Sequence, residues 1–154
     1  MLFLLFRLGE DRYAIEARKV AEVLPWLDVK QIPQAPPAVC GAFNYRGASV
    51  PLIDLSQLAL ARPARHRLST RIILVHYPDA SGTPRLLGLL AEHVTETMSR
   101  APGDFQHSGV SPPEATYLGP VAADAEGLVQ WIQVEQLLPP GVRDLLFQSV
   151  ELAS

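Results

Sequence analysis

The stretch from Gly41 to Leu55, GAFNYRGASVPLIDL, constrains the fold more than any other part of the chain. Residues 42–45 and 49–53 both have strand composition, and Arg46-Gly47-Ala48 between them is short enough to be the turn of a hairpin. That arrangement puts a guanidinium at an exposed turn, where it has little folding work to do. A charge presented by a rigid hairpin is a reasonable binding contact. The segment then runs through Pro51 into Asp54, a residue suited to cap a helical turn over 54–60.

The rest of the chain reads mostly as short strands. Phe3–Leu8 and Arg12–Ile15 flank the turn signal Gly9-Glu10-Asp11 and predict a first hairpin. Residues 16–24 (EARKVAEVL) carry apolar positions at Ala17, Val20, Val23 and Leu24, which is helical spacing, and Pro25 ends the run. A short extended piece over 29–32 leads into a loop constrained by Pro33, Pro36 and Pro37. Residues 61–69 (ARPARHRLS) are polar and basic and predict a mobile linker. Strands follow over 71–77 and 85–91, with the alternating HVTETM continuing the second to Met98. Ser99 to Pro113 is rich in Gly, Pro and Ser and predicts a long surface loop. A last hairpin, 117–123 with 128–134, closes around Asp124–Gly127. One helical turn over 135–138 is broken by Pro139-Pro140, and 141–152 has the apolar spacing of a docked amphipathic helix.

Short strands separated by turns point to small barrels or a sandwich, and the lack of regular strand–helix alternation argues against a parallel α/β sheet. With 154 residues the chain forms about one domain, or two small subdomains sharing a core. A chain of this size buries roughly two-thirds of its unfolded surface, so it folds without a metal or a disulfide. Its net charge is −3 and its basic residues are scattered, unlike the clustered footprint of a nucleic-acid binder. The apolar MLFLLF start is too short to span a membrane, Arg7 interrupts it, and no signal-peptide pattern is present. A cytoplasmic protein is the simplest expectation, and one cysteine, Cys40, agrees with a reducing compartment.

No catalytic constellation emerges. The glycines form no phosphate-binding loop. His93 with Glu92 and Glu96 is the nearest approach to a metal pattern, but strand alternation puts Glu92 and His93 on opposite faces, as solvated residues. Cys40 reads as a small buried residue rather than a nucleophile, and Asp54 as a cap rather than an acid. Trp26 and Trp131 read as core or groove-wall residues. No catalytic residue, cofactor or metal is expected.

The order and spacing of several segments resemble the CheW-like family, the coupling module of bacterial chemosensory arrays. FRLGEDRYAI (6–15) resembles the family's first hairpin, and KVAEVL (19–24) its KVQEI segment. Ile32-Pro33 and Pro36 match the proline-bearing loop. GAFNYRG followed by VPLIDL is similar to its G-x-x-N-L-R-G-x-x-x-P-[VL]-[IV]-D-L stretch. RIILV (71–75), GLLAEHV (88–94), Leu118-Gly119 and IQVEQLL (132–138) resemble the remaining strands and closing helix. Tyr45 stands where the family usually has leucine, Glu92 where it has aspartate, and Gln133 where it has an acidic residue.

The resemblance implies a mainly β fold: two intertwined five-stranded SH3-like β-barrels with a groove between them, short helices and a C-terminal helix, all within one CheW-like domain over 1–154. It implies a non-catalytic adaptor that binds the regulatory domain of a CheA-type histidine kinase and the cytoplasmic tip of a chemoreceptor. Such an adaptor is cytoplasmic, is recruited to membrane-associated receptor arrays, inserts in no membrane, and binds no nucleic acid. Val20, Glu22, Gly41, Arg46 and Gly47 match family positions implicated in receptor or kinase coupling. From the residues alone, Gly41 and Gly47 also answer to turn geometry, Val20 to the core, and Glu22 to a surface pair with Lys19. Two other classes stay open: a structural, self-associating module of the same fold that has lost one partner, and a small β-barrel enzyme.

Overall fold

The structure, a computed structural model, describes residues 1–107 and 112–147. Strands β1 (Leu2–Leu8) and β2 (Asp11–Glu16) form the first hairpin, closed at Leu8 and Asp11, with Gly9 at φ +63° in the turn. Then come β3 (Val20–Pro25), β4 (Val39–Tyr45), β5 (Ala48–Asp54), helix α1 (Leu55–Leu60), β6 (Arg71–Pro78), β7 (Pro84–Ser99), β8 (Leu118–Asp124), β9 (Gly127–Ile132) and helix α2 (Pro140–Leu146).

The organising element is β7. Its first half pairs with β6 on one side and, in parallel, with β5 on the other. Its second half pairs with β1. Two five-stranded units therefore share it: β4-β5-β7-β6-β3, built from the middle of the chain, and β7-β1-β2-β9-β8, built from its two ends. This is the intertwined, mainly β architecture expected. The pairing is largely antiparallel, with parallel exceptions at β2–β9 and β5–β7.

Side-chain alternation distributes the apolar residues among three clusters. Ile72 and Leu74 point into the middle unit with Phe43, Val50, Leu52 and Leu90. Ile73 and Val75, from the same strand, face the other way and meet Phe6, Tyr13, Ile15, Leu87 and Leu89 between the two units. A strand buried on both faces reads as a continuous apolar run, which is why RIILV shows no alternation. The third cluster fills the terminal unit: Phe3, Leu5, Ala14, Phe105, Ala122 and Val129, with Trp131 edge-on to Phe3 at 5.0 Å and to Phe105 at 5.1 Å. Each fully buried aliphatic side chain contributes about 1.5–3 kcal/mol.

Three local expectations are corrected. The helix expected over 16–24 is a 3-10 turn at Ala17–Lys19 followed by β3. Val20 and Leu24, four positions apart, fit both helical and strand spacing, whereas Val23 fits only the helical one and is exposed in β3. Pairing with β6, whose inner residues need an antiparallel neighbour, decides for the strand. Residues 61–69 are not a loose linker. The Ala64 N–H donates to Asp54 Oδ2 at 2.9 Å, and the Arg65 N–H donates to Glu92 Oε2 at 2.6 Å. Glu92 is accordingly a buried anchor, 6% exposed, rather than a solvated residue. Within the expected 99–113 loop, Pro102–Asp104 forms a 3-10 turn, Phe105 is buried, and Gln106 bridges to Val121. As expected, Pro139-Pro140 separate the short turn, here a 3-10 turn at Val134–Gln136, from the following helix; α2 begins at Pro140, where the first helical position needs no N–H. The part of the expected 141–152 helix beyond 147 lies outside the described residues.

Candidate functional site

The β4–β5 hairpin turns in two residues, with Tyr45 and Ala48 as the last pair. Arg46 and Gly47 both take positive φ, +52° and +88°, the signature of a type I′ turn whose twist suits antiparallel strands. Gly47 supplies the left-handed conformation freely, and its N–H donates to Asn44 Oδ1 at 2.8 Å. Arg46 is therefore held at the tip by backbone geometry, with 76% of its side chain exposed.

Strand β3 brings Glu22 to this tip. Glu22 Oε1 accepts from Tyr45 Oη at 2.7 Å and from Arg46 Nη2 at 3.3 Å. The Arg46 guanidinium also lies 5.0 Å from the Tyr45 ring centroid. The bond to Glu22 raises the Tyr45 phenol above its ordinary value, so Tyr45 stays a neutral donor. Glu22 does not pair with Lys19, as helical spacing would have had it; Lys19 bonds instead to Glu135. The strand, not a helix, makes the Glu22–Arg46 encounter possible.

Of the five residues singled out in the sequence, Glu22, Arg46 and Gly47 converge. Val20 lies on the same strand but packs against the cluster between the two units. Gly41 is buried, takes φ +145°, and sits beneath the bridge in which Lys30 and Ala42 exchange backbone hydrogen bonds of 2.8 Å. A Cβ there would fall inside van der Waals contact of the Lys30 carbonyl. Gly41 is thus a packing requirement behind the hairpin. Tyr45 was noted in the sequence only as a departure from leucine; its phenol beside an exposed arginine was the available signal.

Beside the hairpin runs an open depression of about 510 Å³, with Ile32, Pro33, Phe43 and Ala48 in its walls. A second, polar cleft of about 470 Å³ lies where β1 leaves β7, lined by Arg7, Arg12, His93 and Glu96 among others. There the strand register slips between Leu5–Glu96 and Arg7–Glu92, and His93 takes φ +50° in the bulge. Arg12 is occupied by a two-pronged bond to Asp124, at 2.6 and 3.0 Å, which lowers the Asp124 carboxyl below its ordinary value. Among the described residues no group of three or more His, Cys, Asp or Glu is placed to hold a metal ion. Cys40 is half-buried, and burial pushes its thiol up to about 11, the reverse of an activated nucleophile. Asp54 accepts from the Ser56, Gln57 and Ala64 N–H groups and so is committed to structure. Among the described residues no helix is long and apolar enough to cross a membrane.

Comparison with known proteins bears on this geometry. A crystal structure of the scaffolding protein TtCheW from Thermoanaerobacter tengcongensis superposes with a TM-score of 0.79 at 23% identity, covering 95% of this chain and 93% of the other, which establishes the shared fold. The protein named Chemotaxis protein CheW from Klebsiella aerogenes is 26% identical over 142 residues, 88% of this chain and 80% of its own length. The protein of the same name from Rhizobium meliloti is 30% identical over 101 residues, 66% of this chain; the match spans 62% of that relative's length, less than two thirds. The model of the CheW-like domain matches residues 2–140. The chain therefore belongs to the CheW-like domain family.

Proposed function

We propose that this protein is a non-catalytic chemosensory adaptor, acting over residues 1–154 as one CheW-like domain in the cytoplasm at membrane-associated receptor arrays. It couples the cytoplasmic tip of a chemoreceptor to the regulatory domain of a CheA-type histidine kinase. The observation that carries this reading is the Glu22–Tyr45–Arg46 cluster: a preorganised, exposed charge at the tip of a rigid hairpin, on a chain of this family. The arginine fork suits a partner's carboxylates or carbonyls, and the depression beside it suits an apolar helix face. Val20 and Gly41 support the site from behind, Val20 by packing and Gly41 by admitting Lys30.

Calorimetry with the same organism's CheA-type kinase tests the proposal. Binding in the micromolar range is expected, lost when the kinase's regulatory domain is deleted and reduced by Arg46→Glu. A folded protein that binds no such kinase, and that self-associates on sizing chromatography, would instead make it a structural module of the array.

A further inference from the structure

Between Asp54 and Asp79 the chain holds four arginines, at 62, 65, 67 and 71, and no acidic residue. Among the described residues the ion pairs of this protein involve other basic groups, and none of these four meets a carboxylate. Among the described residues Arg71 donates only to the Leu68 and Val94 carbonyls. The loop carrying them is nevertheless rigidly placed. It is tied to Asp54 and Glu92 by the Ala64 and Arg65 N–H groups, to Arg65's carbonyl by the Thr70 hydroxyl at 2.5 Å, and to Val94 through the Ser69 carbonyl.

This loop holds Leu68 98% exposed beside Trp26. The His66 ring lies over Trp26, tilted by 34° with 4.2 Å between ring centroids. With Val23, Arg67 and Arg71 they line an open depression of about 610 Å³. Val23 lies on the other side of β3 from Glu22, so this surface is separate from the hairpin cluster.

We propose that this depression docks a short acidic segment of a partner protein, one that presents an aliphatic side chain flanked by carboxylates. The aliphatic group covers Leu68 and the Trp26 edge, and the carboxylates take the free forks of Arg67 and its neighbours. Three features choose this occupant. Arginines with no carboxylate partner among the described residues, on a backbone already held in place, complement carboxylates at the cost of side-chain ordering alone. Trp26 already has His66 on its face, so it is no stacking platform for a nucleobase. One projecting leucine on a chain of net charge −3 is a weak membrane anchor.

A nonapeptide of glutamates with a central leucine is the probe, followed through tryptophan emission at low salt, beside the same peptide with a central serine. Saturable binding is expected, weakened several-fold by serine, and about tenfold or more by Arg67→Glu, with the signal lost in Trp26→Phe. Arg67 and Leu68 are exposed, so Arg67→Glu and Leu68→Ser keep the fold, checked by circular dichroism, and Leu68→Ser should abolish the preference for the leucine peptide. The proposal is overturned by no saturable binding, by binding indifferent to Arg67→Glu or to the central residue, or by tighter binding to phosphatidylserine vesicles or to oligothymidine than to the peptide.

Discussion

Glu22 and Arg46 are 24 positions apart and meet at 3.3 Å only because β3 runs past the tip of the β4–β5 hairpin. With Tyr45 also on the Glu22 carboxylate, the cluster is a small preorganised surface rather than a fold-holding bridge. An exposed pair of this kind is worth about 0–1 kcal/mol. Arg46→Ala should therefore shift the unfolding midpoint in urea only slightly, while kinase or receptor binding falls. Arg46→Glu, which sets like charges together, should lose binding further and fold nearly as well. A large stability loss in Arg46→Ala would show that the residue serves the fold.

The two hairpin glycines should separate cleanly. A Cβ at Gly41 meets the Lys30 backbone, which cannot yield without breaking its bridge to Ala42. A Cβ at Gly47 meets nothing within 4 Å, leaving only the strain of φ +88°. Gly47→Ala should cost about 1 kcal/mol and Gly41→Ala clearly more. Thermal unfolding of both variants checks the order, and equal midpoints would refute it.

Asp54 caps α1 and holds the basic loop at once, through three N–H groups. Asp54→Ala should cost about 2–3 kcal/mol and expose 61–69 to protease. Burial raises the Asp54 carboxyl above its ordinary 3.8 despite those bonds. The folded state then binds a proton at higher pH than the unfolded chain does. This group's contribution to stability is full below 3.8 and declines as pH rises through the folded value. Asp54→Asn should flatten that slope, which urea titrations across the acid range would read.

Cys40 should resist thiol reagents. With its thiol near 11 rather than 9.0, the thiolate fraction at pH 8 is about a hundredfold lower than for a free cysteine. Reaction with a disulfide dye should be slow in the native protein, accelerate with pH up to about 11, and become fast in denaturant. Rapid native labelling at pH 8 would contradict this environment.

Most strands were legible because their signals are local. The hairpins at Gly9, Arg46-Gly47 and Asp124–Gly127 each announce themselves by turn residues between apolar runs, and Asp54 announces α1. Arg46 was legible as a site for the same reason: a charge at a tight turn has no folding task. The segment 16–24 was misread because Val20 and Leu24, four apart, satisfy both periods, and only β6 chooses between them. Glu92 and the loop 61–69 were misread because both depend on a hydrogen bond spanning 27 positions.

From the sequence alone came the turns, the strand-rich class, the family resemblance and the exposed arginine, all properties of neighbouring residues. The tertiary structure decided which partner each strand edge would find, that Glu22 would lie against Tyr45 and Arg46, and that a basic segment would be fixed in place by two buried carboxylates. Long-range pairing determined these, because a buried N–H or carboxylate must find its partner wherever the fold brings one, and no local pattern encodes that distance.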